Sequence, residues 1–220
     1  MTHVLLVGAN RGIGLAMARL LQSRGAHVIA TCRTATPELR ASGAEVVDDV
    51  DVTRVDGREA ILRAVEGRTL GLVVLAAGIL ESDSLDTFDE DEIRRHFEVN
   101  ALAPLLLARS VVPRLRRGSK IALLTSRMGS IGDNGSGGYY AYRMSKAALN
   151  AGGKSLALDL APRGVHVAIL HPGFVRTRMT GHQGLIDPAE SARLLVERID
   201  ALDASTSGTF FHADGSVLPW

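Results

Sequence analysis

Short, almost wholly apolar runs alternate along this chain with longer stretches of helical periodicity. The runs are Val4–Val7, Val28–Thr31, Glu45–Val47, Leu72–Ala76, Ile121–Leu124 and Val165–Leu170. Polar residues do not alternate with apolar ones inside them, as expected of parallel strands covered on both faces. The stretches Gly14–Ser23, Arg54–Val65, Asp89–Leu115, Tyr139–Leu160 and Pro188–Leu202 read as helices. Such alternation implies right-handed crossovers, and it predicts an α/β fold with a doubly wound parallel sheet. No linker, repeat or low-complexity tract interrupts the pattern, so residues 1–220 are expected to form a single domain.

Composition narrows the classes. A hydrophobic fraction of 46% with 23 glycines is ordinary for a compact α/β protein. A net charge of +1 gives no bulk attraction to nucleic acid or an anionic membrane, and neither is expected as a partner. The single Cys32 cannot form an intramolecular disulfide and suits a reducing compartment. No apolar run approaches the ~20 residues of a membrane helix, and Met1-Thr-His3 runs into a strand-like stretch without a leader pattern. A cytoplasmic location is the expectation. Asp89-Glu-Asp-Glu92 opens a predicted helix whose far end carries Arg114, Arg116 and Arg117, charges that match the macrodipole. Asp48-Asp49-Val-Asp51 lacks metal-site companions and the seven histidines show no HExxH-type spacing, so no metal is expected.

Candidate chemistry begins at Val4-Leu-Leu-Val-Gly8-Ala-Asn-Arg-Gly12-Ile-Gly14, a strand followed at once by a glycine-rich turn and a helix. Glycines let the backbone approach a diphosphate, and a helix N-terminus offers free N–H groups to its oxygens. The second strand ends in Thr31-Cys32-Arg33 with no carboxylate, and Arg11 lies inside the turn. Two guanidiniums and no acid suit the 2′-phosphate of NADP(H) better than the ribose hydroxyls of NAD(H). Farther on, Tyr142-Arg-Met-Ser-Lys146 follows Ser126 by sixteen residues. Four residues apart on a helix, a phenol and an ammonium share one face. A free Tyr titrates near ~10, and a neighbouring Lys⁺ is expected to lower that value.

The set Gly8-x3-Gly12-x-Gly14, Asn100, Ser126, Tyr142-x3-Lys146 and Pro172-Gly173 resembles the short-chain dehydrogenase/reductase family over nearly the whole chain. Gly8-Ala-Asn-Arg-Gly-Ile-Gly14, Ile29-Ala-Thr-Cys-Arg33, Gly138-Tyr-Tyr-Ala-Tyr-Arg143 and the ending Asp214-Gly215…Leu218-Pro-Trp220 look closest to its small carbonyl-reductase-like branch, which includes C-factor-like signalling proteins. The resemblance implies a Rossmann-type sheet of about seven strands and NAD(P)(H)-dependent interconversion of carbonyl and alcohol. It implies a proton-donor role for Tyr142, support of its pKa and of the nicotinamide ribose for Lys146, a substrate hydrogen bond for Ser126, and a relay-water role for Asn100. By the same resemblance Gly8, Asn10, Arg11, Gly12, Ile13, Gly14 and Arg33 would hold the phosphates, and Asp51 and Val52 would flank adenine. Ala76, Ala77, Gly78, Pro172, Gly173, Val175 and Thr177 would border the cofactor's other half. A carbonyl or alcohol of low molecular mass is the expected substrate. The small residues Ala147, Ala148, Ala151, Gly152 and Gly153 suggest a homodimer or homotetramer, or a close contact within the chain.

Three departures stand out. Leu75-Ala-Ala-Gly78 replaces the family's Asn-Asn-Ala-Gly. The Ser126–Tyr142 gap is about three residues long beyond the usual, with Gly129, Gly132, Gly135, Gly137 and Gly138 expected to make it a flexible loop. The segment after Thr177 is short and would make only a modest lid. Pro104 lacks the N–H that would bond the Asn100 carbonyl, which leaves either a carbonyl free for an ordered water or a packing kink. Tyr139 and Tyr140 read as pocket walls, and Arg127 and Arg143 as ion-paired or solvated groups. A dinucleotide-binding signalling or sensor protein is the competing reading, but a pure binding module needs no Ser–Tyr–Lys set.

Overall fold

The computed structural model describes residues 2–220. Its strands are β1 (His3–Val7), β2 (His27–Thr31), β3 (Glu45–Val47), β4 (Leu70–Leu75), β5 (Leu115–Leu124), β6 (His166–His171) and β7 (Phe210–His212). They form one seven-stranded sheet in the order β3-β2-β1-β4-β5-β6-β7, with every neighbouring pair parallel. The helices are α1 (Gly12–Ser23), α2 (Pro37–Arg40), α3 (Val55–Ala64), α4 (Glu90–Phe97), α5 (Ala103–Val111), α6 (Tyr140–Leu160) and α7 (Pro188–Asp200).

The apolar runs are unbroken because both sheet faces are covered. Leu5, Val7, Ile29, Val73, Leu75, Ile121, Leu123, Val167 and Ile169 join the core shared with α3, α5 and α6. The residues between them, Val4, Leu6, Val28, Ala30, Leu72, Val74, Ala122, Leu124, Ala168 and Leu170, join a second core with α1 and α7. Successive strand residues thus serve opposite cores, the doubly wound arrangement that the sequence predicts. The strand order reverses between β1 and β4, which places a crevice at their carboxyl ends.

The predicted helix Asp89–Leu115 is the main correction. Asp89 caps it as expected, accepting from the Glu92 N–H at 2.9 Å. Past Phe97 the chain widens into a π-helical turn over Glu98–Leu102, where the Ala103 N–H bonds Glu98 O, before α5 resumes. The helix then ends at Val111, since Pro113 stops it, and Leu115 already pairs with Leu70 in the sheet. Arg116 and Arg117 therefore lie on β5, not at a helix end, and do not complement its dipole. Strand β7 and the short α2 lie outside the predicted elements: α2 is a single turn, and β7 offers only Phe210 and Phe211 before His212 ends the apolar run. Gly152 and Gly153 have an intrachain purpose. A Cβ at Gly152 would lie 2.4 Å from Leu105 Cδ1 of α5, and one at Gly153 would lie 2.7 Å from Leu123 Cδ1 of the sheet.

Candidate active site

At the crevice, Gly8 (φ +89°) ends β1 against the end of β4, where an added Cβ would lie 2.6 Å from the Ala77 backbone nitrogen. A Cβ at Gly14 would lie 2.2 Å from Gly8 O. Both glycines are thus demanded by close packing of backbone on backbone, strand to strand and helix to turn. Gly12 (φ +54°) differs: the nearest atom to its missing Cβ is the Thr177 methyl at 3.3 Å, so this glycine faces the gap between the α1 N-terminus and the segment after β6. Such a cradle fits a dinucleotide diphosphate, and a side chain there would fill it. Ile13 and Gly14 begin α1 beside it, and α1 has no acidic residue in its first turn to compete with an anion.

Asn10 faces sideways. Its Oδ1 accepts from the Thr36 N–H at 2.8 Å and its carbonyl from the Thr36 hydroxyl at 3.1 Å, which ties the turn to α2. Arg11 and Arg33 are exposed, and among the described residues neither has an ion pair or a side-chain hydrogen bond. Arg33 is close enough to help hold the Asp51 carboxyl below its ordinary range, although the larger lowering comes from the Thr53 hydroxyl and N–H, which donate at 2.7 and 2.9 Å against the opposing effect of burial. Asp51 and Val52 follow the end of β3 on the same side of the crevice.

Beyond the switch point the groups are buried. Ser126, Tyr142 and Lys146 are 7%, 7% and 4% exposed. Ser126 caps the short turn Arg127–Gly129, its Oγ accepting from the Met128 N–H at 3.1 Å. Lys146 reaches down from α6 and donates to Leu124 O at 3.0 Å, and its Nζ lies 5.8 Å from the centre of the Tyr142 ring. Asn100, fully buried in the π turn, clasps Ile79: its Oδ1 accepts from the Ile79 N–H at 2.8 Å and its Nδ2 donates to Ile79 O at 3.0 Å. The same Nδ2 donates to Ser145 Oγ at 3.0 Å, joining the β4 end to α6. Gly78 sits between, with Asn100 Oδ1 and Lys146 Nζ 3.1 and 3.6 Å from where its Cβ would be.

The expected lowering of the Tyr142 pKa is not met by the protein groups. Burial pushes the phenol up, and the adjacent Ser126 hydroxyl pulls the other way with less effect. Burial also brings Lys146 down to about 8. Desolvation disfavours both charged forms, and it outweighs an ammonium lying toward the ring and bonded to Leu124 O.

The loop after Ser126 is also tighter than expected. A Cβ at Gly129 would lie 2.7 Å from the Lys146 backbone, so this glycine permits close approach rather than slack. Arg127 is ion-paired with Asp133, Arg143 donates to Ser136 Oγ at 2.9 Å, and the Gly132 N–H donates to Trp220 O at 2.8 Å. The segment after β6 is likewise tied to itself. Pro172 accepts from the Ser191 hydroxyl at 2.8 Å, Val175 bridges Ile186, and Thr177 caps a turn closed by Thr180. Its rim exposes Phe174, Met179 and Leu185. Tyr140 packs on Phe88 with ring centres 4.8 Å apart. Ala76 keeps a sheet bond to Val7 O at 2.9 Å without the family's asparagine amide. Three further groups, Asp83, His96 and Ser145, join the site through contacts distant in sequence, and no local pattern marks them.

The family model described as short chain dehydrogenase matches residues 2–185. The chain belongs to the short-chain dehydrogenase/reductase family. It is therefore an oxidoreductase with a Rossmann-type fold. The chain is 42% identical over 226 residues to 1-hydroxy-2-glutathionyl-2-methyl-3-butene dehydrogenase of Rhodococcus sp. (strain AD45), covering 100% of both chains. It is 42% identical over 139 residues to C-signal of Myxococcus xanthus, covering 62% of this chain and 84% of that one. Among solved structures, an NADPH-bound carbonyl reductase from chicken fatty liver superposes with a TM-score of 0.91 at 28% identity, covering 100% of this chain and 99% of that one.

Proposed function

We propose that this short-chain dehydrogenase/reductase is an NADP(H)-dependent enzyme that reduces a ketone or aldehyde to an alcohol, or runs the reverse. The observation that carries the reading is the burial of Ser126, Tyr142 and Lys146 together at the carboxyl side of the sheet, beside the glycine turn. Buried polar groups are costly, and a fold that only binds a nucleotide has no use for these. Bound NADPH supplies the hydride. Gly12, Ile13 and Gly14 would hold its diphosphate, Arg11 and Arg33 its 2′-phosphate, Asp51 and Val52 its adenine. Gly8, Asn10, Ala76, Ala77 and Gly78 would shape the crevice between, and Pro172, Gly173, Val175 and Thr177 would border the nicotinamide.

Burial keeps the Tyr142 hydroxyl protonated at neutral pH, so it holds a proton ready for the carbonyl oxygen. Ser126 offers a second hydrogen bond to that oxygen, an oxyanion-type arrangement. With a pKa of about 8, Lys146 can exchange a proton at neutral pH and replace the one that Tyr142 gives up. Asn100 anchors the β4 end to α6, and Pro104 has no N–H to take its carbonyl, which would leave that oxygen to a relay water. The likeness to an NADPH-bound reductase supports the cofactor assignment.

The test is steady-state turnover of a panel of ketones, aldehydes and quinones with NADPH and with NADH. A clear NADPH preference is expected, and an NADH preference would overturn the cofactor assignment. The likeness to C-signal favours one competing reading, a dinucleotide-binding signalling protein. NADPH affinity with no turnover of any carbonyl would support it. We further propose that residues 1–220 act as one catalytic domain in the cytoplasm, which the unpaired Cys32 supports, and as a homodimer or homotetramer, which exposed Phe97, Met144 and Leu158 support.

A further inference from the structure

Helix α6 carries Tyr142 and Lys146, yet it begins badly. Gly137, Gly138 and Tyr139 arrive in left-handed conformation (φ +63°, +63° and +53°), and Tyr139 has no capping side chain to offer. The first N–H groups of a helix have no partner within it. Here one distant residue takes three of them: Asp83 O accepts from the Tyr139 N–H at 2.9 Å, Asp83 Oδ1 from Tyr140 N–H, and Asp83 Oδ2 from Ala141 N–H at 2.9 Å. The next residue is Tyr142.

The loop that supplies Asp83 is itself fastened. Ile79 is clasped by Asn100, and the Glu81 N–H donates to His96 Nε2 at 3.2 Å. His96, fully buried, donates from Nδ1 to Glu92 O at 2.9 Å, and its ring stands edge-on to that of Tyr142 at 6.4 Å. Residues 79 and 81 are thus bolted to α4 and its π turn, and residue 83 to the start of α6. Phe88, from the same loop, packs on Tyr140.

We propose that Asp83 is a positioning residue: a carboxylate from the loop after β4 that fixes the first turn of α6 and thereby the place of the Tyr142 hydroxyl over the substrate carbonyl. The inference rests on the reading of Tyr142 as proton donor. A reacting group displaced by about 1 Å loses roughly a hundredfold in rate. A cap that only stabilised the helix would lower the melting temperature and leave kcat intact below it.

The experiment compares Asp83→Ala, Asp83→Asn and Tyr142→Phe, each assayed well below its melting temperature with NADPH and the best carbonyl of the panel. Asp83→Ala should lower kcat by roughly tenfold to a hundredfold, with NADPH affinity by fluorescence titration unchanged. Asp83→Asn keeps one acceptor oxygen and should recover most of that loss. Amide exchange measured by mass spectrometry should accelerate in the first turn of α6 in Asp83→Ala and stay slow beyond Lys146. Wild-type kcat in Asp83→Ala, equal impairment of Ala and Asn variants, or unchanged exchange would each overturn the proposal. Full turnover by Tyr142→Phe, or none by the wild type, would instead remove the reading beneath it, whatever Asp83 does.

Discussion

The two sides of the crevice hold polar groups in opposite ways. On the β1–β3 side the backbone makes the shape, and the charged side chains, Arg11 and Arg33, stand exposed and, among the described residues, form no ion pair. On the β4–β6 side Asn100, Ser126, Ser145 and Lys146 are buried, each with main-chain or side-chain partners. Exposed charges are weakly coupled to the fold, so the first side can change its preference for an anion at little cost in stability. A buried network loses most when one member is removed and its partners are left unsatisfied. The second side should therefore be intolerant of changes that leave a buried partner unsatisfied, with Lys146, whose amine is itself disfavoured by burial, as the exception.

The sharpest break of that contrast is Tyr142→Phe. It should lower kcat by roughly a thousandfold, within the range for a lost general acid, while an NADPH fluorescence titration shows unchanged affinity. Next comes Gly14→Ala on the other side, where the contact is backbone and cannot yield. A Cβ 2.2 Å from Gly8 O should cost about 3 kcal/mol by overpacking. For a chain of this length that is a fall of about 10 °C in melting temperature, readable by calorimetry.

Lys146→Met tests the buried side through pH. Burial depresses the Lys146 pKa to about 8, so the folded state disfavours the charged amine. Its contribution to stability is full above the unfolded value of ~10.5, falls as pH drops through that value, and levels off below about 8. Replacing it with Met should raise stability at pH 7 by roughly 1–3 kcal/mol, the upper figure following from the pKa change and the lower allowing for a Leu124 carbonyl left unpaired. The gain should shrink as the pH of the melting experiment rises toward 10. A gain that is flat with pH would mean that the amine is not buried. The smallest effect belongs to the exposed side: Arg33→Ala should weaken NADPH binding by about tenfold, equivalent to ~1.4 kcal/mol, and leave NADH binding and the melting temperature unchanged.

Much of this was legible in the chain, for reasons that are local. Strands buried on both faces announce themselves as unbroken apolar runs, and Tyr142 and Lys146 share a face because four residues make slightly more than one helical turn. What escaped depends on groups far apart in sequence. The direction of the Tyr142 shift is set by desolvation within the folded site, which no spacing reveals. Gly8 and Gly14 look like phosphate glycines, yet what they meet is Ala77 and Gly8 backbone. The expected flexible loop is tied at Gly132 by Trp220, nearly ninety residues on. The pairing of Leu115 with Leu70, which cuts the predicted long helix short, is equally non-local.

The widened turn at Glu98–Leu102 has a consequence for how this helix can change length. A π turn carries one residue more than the α-helical count, and each residue in a helix is worth about 100° of rotation. The widened turn absorbs that surplus: it lets Asn100 aim at Ile79 and Ser145 while Leu107, Ala108 and Val111 still face the sheet. Deleting a single residue here would restore ordinary winding with the two halves still in phase, because four α-helical residues turn the chain about as far as the widened stretch does. The core contacts would survive, and the asparagine would lose the widened turn that aims it at Ile79 and Ser145.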